Sequence, residues 1–176
     1  MIRSVLILLL GFLLAEAEDP ILLNAHIRMI PKIMALDTKI TSKFTLNKAN
    51  LAVIYDNNRK ANAQKIADDM VQYYNGKVAD IPFATIVLSA DELANRHDIA
   101  FIYLTQMSTP SIKKVAKWGS TNSIATFSYN VGDLELGVLG SITIERSTII
   151  YINKNVLKLG NLRFNDTLFQ IAKLTE

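Results

Sequence analysis

The chain of 176 residues contains no cysteine. That absence excludes a disulfide framework, a thiol nucleophile and any metal site built on thiolates. Histidine is scarce as well. His26 and His97 are the only two, they stand in different expected elements, and neither has an H-x-x-x-H or H-x-E partner. The seven glycines form no G-x-G-x-x-G or Walker loop. After the first expected strand, where a phosphate loop would stand, the sequence reads Asp56-Asn57-Asn58. No G-x-S-x-G elbow is present either. The adjacent carboxylates Asp68-Asp69 and Asp91-Glu92 fall on expected helices, where neighbours do not face each other, so they read as solvated. The net charge is +3 and no run of one sign concentrates it, which argues against nucleic acid or anionic lipid as a partner. From the residues alone the expectation is a protein that is not an enzyme, without cofactor or metal.

What is present begins with an address. Met1-Ile2-Arg3 carries one positive charge, Val5 to Leu14 is apolar apart from a glycine, and Ala15-Glu16-Ala17 has the small-x-small form. Together these describe a secretory signal peptide, residues 1–17, cleaved after Ala17. The apolar run is about half of the ~20 residues that span a bilayer, so no direct membrane insertion is expected after cleavage. The mature chain, residues 18–176, is then a single exported domain, located in the periplasm.

Hydrophobic periodicity supplies the rest. Asp19-Pro20 predicts a helix start, with a stripe from Ile21 to Met34 that Pro31 should kink or interrupt. "LAVIYD" (51–56) reads as a strand buried on both faces, and Ala61 to Tyr74 as an amphipathic helix stopped by Asn75-Gly76. Strands follow at 84–88, 98–104 and 123–129. Between them lie a short helix through "ADELAN", capped by Ser89, and a longer one from Ser108-Thr109-Pro110 to near Trp118-Gly119. Alternating strands and helices imply an α/β fold: a mainly parallel, Rossmann-like sheet with helices on both faces. Only Glu145-Arg146-Ser147 separates the runs 141–145 and 148–153, too short for a parallel crossover. They predict an antiparallel hairpin at a sheet edge, with a terminal helix from Asn165 through Leu174.

In open parallel sheets ligands sit beyond the carboxyl ends of the strands. That rule nominates Asn57, Gln106, Ser108, Thr109 and Asn130 as ligand-binding candidates. At Ser108-Thr109 two readings stand: free helix N–H groups holding an anion, or a hydroxyl capping the helix with nothing bound. Lys113, Lys114 and Lys117 share one helix face, either solvated or set against an acidic partner. Along the hairpin, Ile142, Ile144, Ile150 and Ile152 mark one apolar face. It serves a homodimer, docks a partner, or lies under the terminal helix.

The chain resembles the YfiR-like periplasmic proteins. The resemblance runs from about Ile21 to Leu174 and is carried by "DIAFIYLT", "SIATFSY", "LELGVLGSITIERSTIIYIN" and "VLKLGNLRFNDTLFQIAKL". Gly137 and Gly140, Asn153, Phe164 and Leu168-Ile171-Ala172 stand where that family has a glycine pair, a hairpin ending in Asn, and an "L..L..IA" helix. This chain departs from the family in having Ala35-Leu36 in place of Trp-Pro, glycines separated by Val138-Leu139, and no cysteines for redox control. The resemblance implies a non-catalytic regulator that binds the periplasmic part of an inner-membrane diguanylate cyclase and represses it, lowering cyclic di-GMP. A small-ligand-binding accessory protein of a receptor or transporter is the alternative.

Overall fold

The structure is a computed structural model that describes residues 18–176, so the expected leader lies outside the described residues. The first helix, α1 (Pro20–Ala35), starts where Asp19-Pro20 predicts. The Asp19 carboxylate accepts the N–H groups of Ile21 at 2.8 Å and Leu22 at 3.4 Å. The helix runs through Pro31 without ending there. Burial of Ile30, Ile33 and Met34 around the proline holds the last turn, and tertiary packing outweighs the lost hydrogen bond.

The strands are β1 (Ala49–Tyr55), β2 (Lys77–Val78), β3 (Ile81–Ser89), β4 (Phe101–Leu104), β5 (Ala125–Ser128), β6 (Gly140–Ile144), β7 (Thr148–Asn153) and β8 (Ala172–Thr175). Between them lie α2 (Lys60–Tyr74), α3 (Thr109–Thr121), α4 (Lys154–Leu159) and α5 (Asp166–Ile171). All eight strands form one sheet in the order β2-β3-β1-β4-β5-β6-β7-β8. Within it β3, β1, β4, β5 and β6 are mutually parallel. The β2/β3 and β6/β7 pairs are antiparallel. The expected α/β class and the C-terminal antiparallel hairpin are both present.

Alternation along the central strands splits the core in two. Leu51, Val53, Phe101, Tyr103 and Phe127 face the layer that holds α1 and α2, while Ala52, Ile54, Ile102 and Leu104 face α3. Strands buried on both faces explain why "LAVI" and "FIYL" are continuous apolar runs.

Several boundaries differ from expectation for local reasons. "ADELAN" forms a single 3-10 turn (Glu92–Asn95), and Ser89 does not cap it. Instead the Glu92 carboxylate accepts both the N–H and the hydroxyl of Ser89. Asn153 ends the hairpin and caps α4, an element the sequence reading missed, by accepting the N–H groups of Asn155 and Val156. The terminal helix stops at Ile171, because residues 172–175 extend and pair in parallel with β7. The hairpin is therefore one strand in from the rim, and β8 forms the outer edge.

This arrangement decides the fate of the isoleucine face. Ile142, Ile150 and Ile152 are buried in the same cluster as Ile30, Ile33 and Met34 of α1, joined by Leu168 of α5. They offer no surface to a partner; only Ile144, at the end of β6, is partly exposed.

Candidate functional site

From β1 the chain first builds β3 on one side and then returns to build β4 on the other. Reversal of that kind splays the connections apart and opens a crevice at the carboxyl ends of the two strands. Here the crevice is a cleft of about 340 Å³ lined by Asp56, Asn57, Arg59, Gln106, Met107, Ser108 and Asn130. The segment after β1 supplies Asp56, Asn57 and Arg59, with Asn57 in the left-handed region at φ 52°. The segment after β4 supplies Gln106, Met107 and Ser108, and the one after β5 supplies Asn130.

Asp56 ties two strand ends together. Its Oδ2 accepts the Ser108 N–H and the Ser108 hydroxyl, each at 2.7 Å. Burial pushes the Asp56 carboxyl up, but the Ser108 hydroxyl and amide, the Ser111 hydroxyl and the Arg59 charge outweigh it and hold the pKa below the usual range. The group is thus an anion at neutral pH. Ser108 occupies the N-cap position of α3, yet its side chain does not cap the helix; the acceptor at that end is Asp56. Both sequence readings of this turn are modified in consequence. The hydroxyl is spent on a carboxylate, and one free N–H of the helix start already has its anion.

Arg59 lies across the cleft and donates from Nη1 to Gln106 Oε1 at 2.7 Å. Among the described residues it forms no ion pair. Among the described residues Met107 is the one apolar side chain in the lining. No imidazole reaches Ser108, since His26 lies on the buried face of α1 and His97 precedes β4 at the opposite end of the sheet. Ser108 instead faces a carboxylate held below its ordinary pKa, a weak base for activating a hydroxyl.

Of the residues nominated from sequence, Asn57, Gln106, Ser108 and Asn130 come together in this cleft. Thr109 is exposed in the first turn of α3 and is not part of the lining. Lys113 and Lys117 are exposed on α3. Their neighbour Lys114 reaches Asp91 at 2.7 Å in a solvated pair of the kind that contributes little. Sequence reasoning missed Arg59 and the tie made by Asp56. The first precedes α2 in a polar stretch that looks like an ordinary loop. The second needs β1 and β4 to be neighbours, which no local pattern reveals.

A second polar cluster lies inside the core. His26 Nε2 is 3.0 Å from the carbonyl of Ile142, and its ring stands 5.5 Å from that of Tyr103 and 5.3 Å from that of Tyr129. His26 Nδ1 and the Tyr103 hydroxyl are buried without a partner among the described residues. Burial lowers the His26 pKa to about 4, and the bond to Ile142 only partly opposes this. Tyr129 closes the cluster by accepting the Asp19 N–H at 2.8 Å, which pins the chain entering α1.

No helix among the described residues is long and apolar enough to cross a membrane. No protein-family profile and no curated protein matches this chain. Solved structures do. A conserved domain protein from Vibrio cholerae O1 biovar El Tor is 13% identical with a TM-score of 0.60, over 88% of this chain and 60% of that one. The ABC domain from Streptococcus pneumoniae, solved in complex with L-Trp, is 8% identical with a TM-score of 0.52, over 81% of this chain and 61% of that one. This chain spans about three fifths of the length of each, and at such identities the likeness is one of fold.

Proposed function

We propose that this chain is a non-catalytic binding protein and that its switch-point cleft takes a small polar molecule. One observation carries the reading. Asn57, Gln106, Ser108 and Asn130, contributed by three separate strand ends, converge with Arg59 and Asp56 on one cleft at the place where open α/β sheets bind ligands. A structural neighbour solved with L-Trp supports a small-molecule role for this architecture. The test is an amide-detected NMR titration with fractionated small-molecule extract. Saturable shifts of the Asn57, Gln106 and Asn130 side-chain amides are expected. Shifts scattered over the surface, or none, would discard the reading.

A second reading is favoured by the edge at β8. Among the described residues no strand pairs with its outer side; the exposed Ile171 precedes it and the exposed Leu174 lies within it. Edges of that kind must be covered or used. Together with the resemblance to YfiR-like proteins, this supports a periplasmic regulator that docks on the sensor part of an inner-membrane protein, a diguanylate cyclase being the expected partner. Ligand in the cleft would then set the balance between bound and free states, by whatever difference in affinity the two states have for it. A pull-down from solubilised inner membrane with the chain from Glu18 is expected to recover a cyclase, and Leu174→Glu to abolish the recovery. Equal recovery with the variant would remove the edge from the interface.

A further inference from the structure

Resting on the cleft as a ligand site, we infer that its occupant is a small polar molecule bearing a single carboxylate, which Arg59 binds. A guanidinium presents five donors in a planar fork matched to carboxylate and phosphate. Arg59 shows one side-chain hydrogen bond, to the neutral Gln106 carboxamide, and no ion pair among the described residues. A half-buried cation that feels the Asp56 charge but hydrogen-bonds only a neutral carboxamide among the described residues, in the lining of a 340 Å³ cleft, has donors to spare for an anion.

Asp56 limits how much negative charge can enter. It is ionised, it lines the same cleft, and it has already taken the Ser108 N–H at the start of α3. A phosphate dianion would meet that carboxylate without the run of free amides that a glycine-rich loop supplies. A monoanion meets less repulsion and pairs with Arg59 through two parallel N–H···O bonds. The rest of the lining sets the remainder of the molecule. Asn57, Gln106 and Asn130 each offer donors and acceptors, while Met107 alone is apolar, so hydroxyl or amino groups find partners where a long alkyl chain would not. An amino or hydroxy acid of a few carbons satisfies all of these constraints.

The experiment is calorimetry and thermal melting with the chain from Glu18. The probes are L-serine, lactate and gluconate, set beside lactamide, L-serinamide, glucose and inorganic phosphate. At least one carboxylate is expected to bind saturably and raise Tm, with its counterpart lacking the carboxylate (lactamide, L-serinamide or glucose) weaker by on the order of 10- to 100-fold, the value of one charge-assisted hydrogen-bonded contact. Arg59→Gln should show the same loss while keeping the unliganded Tm, and Arg59→Lys should recover only part of the affinity. Glucose binding that depends on Gln106 but not on Arg59 would keep the cleft as a site and overturn the carboxylate. So would phosphate binding more tightly than every carboxylate. If no probe of any class binds, the cleft reading falls and this inference with it.

Discussion

Acidification from pH 6.5 to about 4 is expected to remove on the order of 3 kcal/mol of stability through His26 alone, at about 1.4 kcal/mol for each pH unit of displacement. The unfolded chain takes up the proton near the ordinary value of 6.5, whereas the folded chain resists until about 4. Between those values the unfolded state binds more protons, so stability rises with pH and is lost as pH falls through the window. Above pH 6.5 the ring is neutral in both states and costs nothing.

Two carboxyls act around the same range. Burial raises the pKa of Asp133, with the Ser128 hydroxyl opposing, so that group favours the folded state as pH falls. Asp56, held low, withdraws its contribution only beneath the ordinary carboxylate value of 3.8. A difference measurement separates these effects. Urea unfolding of the parent chain and of His26→Gln at pH 7 and pH 4 should show the parent losing about 3 kcal/mol more than the variant. Glutamine keeps a donor for the Ile142 carbonyl and does not titrate. Identical pH slopes would mean that His26 is not held neutral in the fold.

The second large effect lies at Gly140. A β-carbon there would stand 2.5 Å from Cζ of Phe127 and 2.8 Å from the carbonyl oxygen of Tyr151. Neither can retreat. Phe127 is fully buried and stacked on Phe101 at 5.6 Å, and Tyr151 is held by its ladder partner Ser141. Gly140→Ala is therefore expected to lose about 3 kcal/mol, at the upper end for overpacking a core. Gly132→Ala, where a β-carbon meets nothing within 4 Å, should change stability by less than ~0.5 kcal/mol. The pairing with Phe127→Leu is the sharper measurement. The double variant should be clearly more stable than the sum of the two losses predicts, because leucine vacates the space the new methyl needs. Strict additivity would place the strain elsewhere.

Sequence periodicity located the central strands and the three longer helices to within a few residues, because each is long or strongly patterned. Errors gathered where one hydrogen bond or one neighbour decides the outcome. Residues 172–175 carry no local preference strong enough to leave a helix; the open edge of β7 draws them into the sheet. The isoleucines of the hairpin were correctly read as one apolar face, but what covers it is mainly α1, from the far end of the chain. At the candidate site, the rule that ligands sit beyond strand ends nominates Asn57, Gln106, Ser108 and Asn130 without any knowledge of strand order, and these four line one cleft. It could not find the Asp56–Ser108 tie, which exists only because β4 lies beside β1.

The contact between His26 and the Ile142 carbonyl joins residues 116 positions apart, and it bears on how the chain comes off the ribosome. The helix 20–35, made early, is nearly the last element to gain its seat. Until Ile142, Ile150 and Ile152 have emerged, the surface that buries Ile30, Ile33 and Met34 is incomplete. Such long-range closure delays folding, since distant segments must meet before their contacts reward the loss of chain entropy. A nascent chain of this kind leaves the apolar face of its helix 20–35 uncovered until the hairpin has been made, so the order of synthesis and the order of burial run opposite to each other.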